Sequence, residues 1–357
     1  MGKYILSKLL YSVIVLWGVI TAIFFLFNVL PGDPATIMLG QRANKEQVEA
    51  IHKDLGLDLP LLTQYFLYLN DLSPISIHKT DDKTSHWYFD TEKYTGWTIL
   101  PLGNKQIVLK LPYLRRSYIS KRPVSDIIKE TLPETAVLAF SSIILASVFG
   151  ILLGILAAIK LHTWYDKLSL VLSVLGMAAP SFFVGLIIAW LFGYVWRDYT
   201  GLSPTGSLFE IDVWEGEKIQ LKNLILPAIT LGVRPLAIIM QLMRSSMLDV
   251  MSQDYIRTAH AKGLSFYTII FKHALKNALN PVVTAISGWF AGLMAGAVFV
   301  EYIFNWKGIG YEVYEALTKN DLPIVMGSTL VFAVIFIFTN MIVDIMYGFL
   351  DPRVRIK

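Results

Sequence analysis

The 357-residue sequence contains no cysteine. Disulfides, thiol nucleophiles and Cys-ligated metals are therefore excluded, and redox chemistry gives no reading of the compartment. Charge is scarce as well. Only 16% of residues are charged, against roughly 25% in a soluble domain. The charges cluster between long apolar runs, which is a membrane pattern rather than a globular one. No G-x-x-x-x-G-K-[ST] phosphate loop occurs, so nothing in the chain is built to cradle ATP. H-E-x-x-H and G-x-S-x-G are both missing, and no His lies in a long apolar run. An intramembrane enzyme would need such a metal motif or nucleophile–base pair. Nothing points to a nucleic-acid partner.

What the sequence has is apolar length. A helix needs about 20 apolar residues to cross the hydrocarbon core. Leu9–Leu30, Thr135–Ile159, Leu168–Trp196, Val282–Val300 and Ile324–Val343 meet that requirement. Leu224–Met243 joins them although Arg234 sits in its middle. The expectation is an all-α polytopic membrane protein with about six transmembrane helices and a small mixed extracytoplasmic insertion after the first. Leu9–Leu30 is longer than the apolar core of a signal peptide, and no small-x-small cleavage site follows it, so it reads as an uncleaved anchor.

Orientation follows from Lys and Arg in the short loops. With the N-terminus inside, Met1–Lys8, Lys160–Lys167, Arg244–Pro281 and Asp351–Lys357 are inner and hold 12 Lys/Arg. The short outer loops, Arg197–Asn223 and Phe304–Pro323, hold 5. The long segment Pro31–Glu134 has 13 Lys/Arg against 13 Asp/Glu, and a loop of that length crosses largely regardless of charge. Both termini are thus expected in the cytoplasm. The chain divides into residues 1–30 (N-terminus and first span), 31–134 (extracytoplasmic segment) and 135–357 (transmembrane core with the cytoplasmic segment 244–281).

The outer segment is too long for a mere connection. Pro31-Gly32-Asp33-Pro34 ends the first span, since neither proline continues a helix. Lys45–Leu55 is predicted as a helix with Val48, Ile51 and Leu55 on one face and Gly56 as its stop. Leu61–Leu69 is predicted as a second, entered through Pro60. Trp87–Phe89 and Gln106–Leu111 have strand character. Two roles fit the segment: a cap that receives a partner protein, or a lid over the helix ends.

Arg244–Pro281 carries the sharpest pattern. Asp254 is placed to cap a helix over Tyr255–Lys262, Lys262 suits its C-terminal dipole, and Gly263 supplies the left-handed residue that ends it. Ser265 is placed to cap the next helix, with His273 and Asn277 on it, and Pro281 opens into the following span. A short crosswise helix between two long ones can dock in a groove on a cytoplasmic protein.

Asp254-Tyr255-Ile256-Arg257-Thr258-Ala259-His260-Ala261-Lys262-Gly263-Leu264, followed by His273-Ala274-Leu275-Lys276-Asn277-Ala278-Leu279-Asn280-Pro281, resembles the coupling-loop motif of ATP-binding-cassette importer permeases. The resemblance is to the dipeptide/oligopeptide/nickel permease family, of the first-subunit type with a long outer loop. The generic motif begins Glu-Ala-Ala; here Arg257-Thr258-Ala259 fills the triplet and Gly263 stands in the expected place. Further matches are Pro31–Pro34, Leu55-Gly56-Leu57-Asp58 with Pro60, Arg122-Pro123-Val124, Leu132-Pro133-Glu134-Thr135, Pro180-Ser181-Phe182, Glu301, Trp306-x-Gly308-x-Gly310 and Asp351-Pro352-Arg353. Ser73–Tyr113 is longer than the family usually has.

The resemblance implies a permease subunit, not an enzyme, in the inner membrane of a prokaryote. It implies a second homologous permease, two cytoplasmic ATPase subunits that hold the ATP and Mg²⁺, and an extracytoplasmic substrate-binding protein. The chain itself would bind no cofactor and no metal and would have no catalytic residue. Asp254, Tyr255, Arg257, Thr258, Ala259, Lys262, Gly263 and Leu264 would take the ATPase's movement. Relatives with these motifs carry peptides, nickel chelates, glutathione or short sugars.

Some residues keep two readings. Arg234, a base inside a span, is a functional candidate by default: it meets the carboxylate of a passing peptide, or it pairs with a freed carbonyl near Pro235 or an acid on a neighbouring helix. Pro180 kinks the third span, shaping a path or fitting its neighbours. Glu301 and Trp306–Gly310 line an outer gate or make an ordinary turn. Asp344 reaches the interface or binds cargo. Gly150-x-x-x-Gly154 allows close helix packing. A self-powered secondary transporter would place several ionisable residues at mid-membrane; Arg234 alone is clearly there.

Overall fold

A computed structural model describes residues 2–29, 33–39, 44–91, 93–212 and 216–350. The elements, in chain order, begin with α1 (Gly2–Val29), α2 (Pro34–Leu39), α3 (Lys45–Leu55) and α4 (Leu61–Leu72). The strands β1 (Ile75–Lys79), β2 (Gly96–Leu102) and β3 (Lys105–Lys110) follow, then α5 (Val124–Ile159), α6 (Trp164–Ala178), α7 (Ser181–Ile188) and α8 (Arg197–Thr200). A hairpin β4 (Phe209–Asp212) and β5 (Gly216–Ile219) precedes α9 (Lys222–Met251), α10 (Asp254–Ala261) and α11 (Phe266–Thr268). The chain ends in α12 (Leu275–Gly296), α13 (Val298–Phe304), α14 (Ile309–Thr318) and α15 (Leu322–Leu350). It is a helical membrane protein with little sheet. The expected final motif at 351–353 and the first two residues of Pro31–Pro34 lie outside the described residues, as does the side chain of Asp344.

Among the described residues, four helices are long and apolar enough to cross a membrane, or six if two bent pairs each count as one span. The predicted span Leu168–Trp196 is such a pair: Trp164–Ala178 and Ser181–Val195 meet at 109°. The break is sharper than the kink expected at Pro180. Proline carries no N–H and forces the residue before it out of the helical region; Ala179 accordingly sits at φ −72°, ψ 128°. After α7 the chain continues through a π-helical stretch, Ala189–Val195. Val282–Val300 is the second bent pair, with 60° between Phe266–Met294 and Val298–Phe304. Pro281, expected at a span entrance, lies inside α12.

Two units divide the chain. One holds Gly2–Glu130 and Glu315–Ala333. Here α4 lies along α1: Ile23 and Phe24 are buried with Tyr65, Tyr68 and Leu72, joined by Met326 and Leu330 of α15. Helix α3 has the expected bounds, and Gly56 ends it at φ 70°. Its start is fixed by a capping box in which Asn44 and Gln47 satisfy each other's backbone N–H groups. The expected strand at Gln106–Leu111 is β3, the middle of an antiparallel sheet ordered β1-β3-β2. Trp87–Phe89 is not a strand; Tyr88 makes a single bridge to Lys79. Strand β2 tolerates Pro101 because it is an edge strand, with an irregular register between Thr98 and Leu100.

The other unit holds Thr131–Tyr314 and Val334–Lys357. Its centre is α9. The predicted glycine pair packs against it. A Cβ on Gly150 would lie 3.0 Å from the Leu236 carbonyl oxygen, and one on Gly154 2.6 Å from that of Met240. Broken α6/α7 follows the same helix: Gly176 faces Val233 and Ala237, and Gly185 faces Thr230. Asp166, at the start of α6, is buried and ion-paired with Arg244 of α9.

Candidate functional site

Helix α9 gives way at Ser252 to α10, which is stopped and started by its flanks. Gln253 stands before it in an extended conformation with no side-chain bond to the helix. Asp254 is therefore not the cap expected of it but the first helical residue, and the helix is Asp254–Ala261 rather than Tyr255–Lys262. Its carboxylate meets Arg257 at 3.3 Å and still lies where a negative charge suits the helix dipole. At the other end the expectation holds. Gly263 has φ +73°, its N–H bonds to the His260 carbonyl at 2.9 Å, and Leu264 N–H bonds to Ala259 O at 3.3 Å.

One face of α10 is sealed. Ile256 is 1% exposed and Ala259 6%. They belong to one core cluster with Ile269, Ile270, Ala274 and Ala278. Ser265 accepts from Thr268 N–H at 3.3 Å, capping the next helix as predicted. That helix runs as α11, a π-helical turn at Ile269–Ala274, and α12; such turns recur at functional positions. Asn277 of α12 donates to the Tyr255 hydroxyl at 2.8 Å. Ser246 of α9 donates to Ala278 O at 2.9 Å. The short helix is thus fastened to α12, and α12 to α9.

The opposite face is open. Tyr255, Arg257, Thr258, Lys262, Gly263 and Leu264 are exposed, and so are Phe266, Phe271 and Tyr267, the last at 75%. These three aromatics were missed in the sequence. The signal for them was three large aromatics close together in a segment read as cytoplasmic and non-spanning.

The other predicted residues are scattered. Arg234 is exposed on α9, with its guanidinium 5.9 Å from the ring centre of Trp289 on α12; this is cation–π range, a partner neither reading named. Pro180 is exposed at the α6/α7 break. His273 is half-buried in the π-helical turn. Glu301 is at 0% exposure. Its carboxylate accepts from Thr135 Oγ1 at 2.7 Å and from Tyr311 N–H at 3.0 Å. Thr135 Oγ1 in turn accepts from Ile309 N–H at 2.8 Å, and Trp306 Nε1 donates to Glu134 O at 3.0 Å. The glycines of Trp306-x-Gly308-x-Gly310 leave room for this cluster: a Cβ on Gly308 would strike Thr135 and Glu301, and one on Gly310 would stand 2.7 Å from Val298 Cα.

Comparison with known sequences bears on what this arrangement belongs to. The family described as "Binding-protein-dependent transport system inner membrane component" matches residues 150–356, and its N-terminal companion matches residues 1–85. The chain is 33% identical to a dipeptide transport system permease protein of Alkalihalophilus pseudofirmus, with 99% of this chain and all of the relative aligned. It is 31% identical to a glutathione transport system permease protein of Escherichia coli K12 and 32% to that of Salmonella typhimurium, each over the full length of both chains. The chain belongs to the binding-protein-dependent transport inner membrane components, as a multi-pass permease of the dipeptide/oligopeptide branch of ATP-binding-cassette importers, a family of transport subunits whose ATP is hydrolysed by separate chains.

Proposed function

We propose that the chain imports short peptides, delivered by an extracytoplasmic binding protein, through a path shared with a second homologous permease and powered by two cytoplasmic ATPase subunits. The observation that carries this reading is α10. It is sealed to its own protein through Ile256 and Ala259 and offers an exposed polar and aromatic face to something else. ATP closes the ATPase pair, the docked helix moves with it, and the fastened spans shift from inward-open to outward-open. Both termini are cytoplasmic in this scheme, which puts 244–281 inside and 31–134 outside. The three-stranded sheet then supports a role in receiving the binding protein. Ile75, Leu109 and Trp97 stand side by side across its strands, all exposed, Trp97 at 78%. A contiguous apolar face of that kind marks an interaction surface. Arg234 meets the carboxylate of the passing peptide, with Trp289 holding the guanidinium in place; an Arg234→Gln variant with unchanged uptake of charged and neutral peptides removes that role.

The test of coupling is Gly263→Val. No atom lies within 4 Å of a Cβ built there, so the strain is purely that of φ +73°, which a β-branched residue resists. In proteoliposomes with ATPase subunits and binding protein, ATP hydrolysis persists while dipeptide uptake falls roughly tenfold or more. Undiminished uptake removes the coupling role. A glutathione permease is the second reading, favoured by the full-length match to proteins of that name. Uptake of glutathione but not of dipeptides would select it.

A further inference from the structure

The segment between the first two spans contains a cavity of about 390 Å³, within the usual range for small-ligand sites. Its charge is one-sided. Among the described residues, Lys93, Arg115, Arg116 and Lys121 line it, against a single carboxylate, Asp71. The whole segment 31–134 is balanced at 13 bases and 13 acids, so the excess is a local concentration and not a background. Asp71 offsets two of these bases and leaves Arg116 and Lys121 as the excess. It accepts from the Tyr94 hydroxyl at 2.6 Å and lies 3.8 Å from both Lys93 and Arg115. Between the bases the wall is mixed: Phe24, Met38 and Leu57 are apolar, and Asn28, Gln64 and His86 are polar.

The loop that carries three of the bases is held in place. Arg115 and Lys121 both have left-handed backbones, at φ 67° and 59°, a conformation that costs a residue with a side chain and is kept only where the surroundings enforce it. The enforcement is visible. Asp321 accepts from Ser117 Oγ at 2.5 Å and from Tyr118 N–H at 3.0 Å. Val124 N–H bonds back to Arg115 O at 3.1 Å, and Ser117 N–H to Arg122 O at 3.0 Å. The loop thus holds two cationic residues in a fixed conformation at one cavity.

We propose that this cavity binds the free carboxylate of a small solute carrying an apolar side chain, seated against Arg115, Arg116 and Lys121, before it enters the translocation path. Guanidinium forks pair with a carboxylate through two hydrogen bonds, and the apolar part of the wall, at Phe24, Met38 and Leu57, takes the side chain. The inference rests on the peptide reading for the solute's identity, but binding is measured here apart from uptake.

The experiment uses the full chain assembled with its partner permease and ATPases in lipid nanodiscs, without the binding protein. The probe is radiolabelled alanyl-phenylalanine, with its C-terminal amide and inorganic phosphate as competitors. Saturable binding is expected, with the amide weaker by roughly tenfold or more because the charge-assisted bonds are lost. Arg116→Gln and Lys121→Gln should each weaken binding several-fold. Lys121 is exposed, so its variant keeps the test open if Arg116→Gln fails to fold. Equal binding of acid and amide overturns the proposal. So does equal displacement by phosphate, which means a general anion site. In a second arm with the binding protein added back, loss of its docking in both variants, with no dipeptide bound in the first arm, also overturns it and assigns the bases to an acidic protein surface. Acid-selective binding of the dipeptide in a complex that imports only glutathione supports the site while removing the peptide reading.

Discussion

At the scale of single residues, Glu301 is a charge with no reason to be where it is until Thr135 is placed beside it. Its helix, α13, has seven residues and could not bury a carboxylate alone. Thr135 reaches it across the fold with one hydroxyl that serves both as donor to Glu301 and as acceptor for Ile309 N–H. A Thr135→Val substitution keeps the shape and removes both bonds. A buried polar group left unsatisfied costs about 1–3 kcal/mol, so the variant should unfold several degrees lower in a thermal scan of the detergent-solubilised protein. Unchanged melting would mean that water replaces the hydroxyl. The glycines at 308 and 310 belong to the same account, because they keep the space that the carboxylate and hydroxyl occupy. The Trp-x-Gly-x-Gly spacing was visible in the sequence. Its purpose was not, since the partners are 166 positions apart.

At the scale of elements, the three-stranded sheet has a charged and polar back. Ser76, His78, Lys110 and Asp71 are buried there. Lys110 donates to the Asp71 carbonyl, and burial pulls its ammonium down to about 8. His78 sits between Ser76, at 3.0 Å, and the rings of Phe89 and Tyr94. Burial, and then the Lys110 charge, lower its pKa from 6.5 to about 4. The folded sheet therefore prefers neutral His78. Below pH 6.5 the unfolded segment takes up a proton that the folded one refuses, so stability falls with pH until about 4 and no further through this residue. The loss amounts to about 3 kcal/mol at most. Amide protection factors over 75–110, taken against the intrinsic exchange rate at each pH, should fall between pH 6.5 and 4, and a His78→Gln variant should lose most of that dependence. A flat profile in the native chain would remove His78 as the cause.

The same sheet shows what local sequence can and cannot disclose. Helix α3 was legible to the residue because its stop is a glycine with a left-handed backbone and its face is set by spacing. Gly263 was legible for the same reason. Strands β1 and β2 were not, because each is stabilised by β3 rather than by itself, and β2 holds a proline, Pro101, that only an edge position allows. Asp254 was read as a cap from residue type, while the cap geometry depends on where Gln253 turns. The Pro180 break was underestimated because a proline states that a helix bends, whereas the angle depends on what α6 and α7 pack against.

At the scale of the whole molecule, the direction of transport rests on charge in short loops, where the bias is 12 Lys/Arg against 5. The absence of native cysteine makes this directly testable, since a single introduced thiol is the sole target of a maleimide. Trp164 and Tyr267 are 62% and 75% exposed in segments assigned to the cytoplasm. Trp97 and Tyr199 are 78% and 91% exposed in segments assigned to the outside. Each substituted singly by cysteine, the last two should react with a membrane-impermeant maleimide in intact spheroplasts, and the first two only after permeabilisation. The pair at Tyr199 and Tyr267 is the decisive one. Both lie in loops short enough for charge to govern their side, whereas the segment with Trp97 is long and neutral and would cross in either case. Labelling of Tyr267→Cys from outside would reverse the topology, and α10 could then meet no cytoplasmic ATPase. Labelling of Tyr199→Cys alone leaves α10 on the side where ATP is held and gives its open face a motor to dock on.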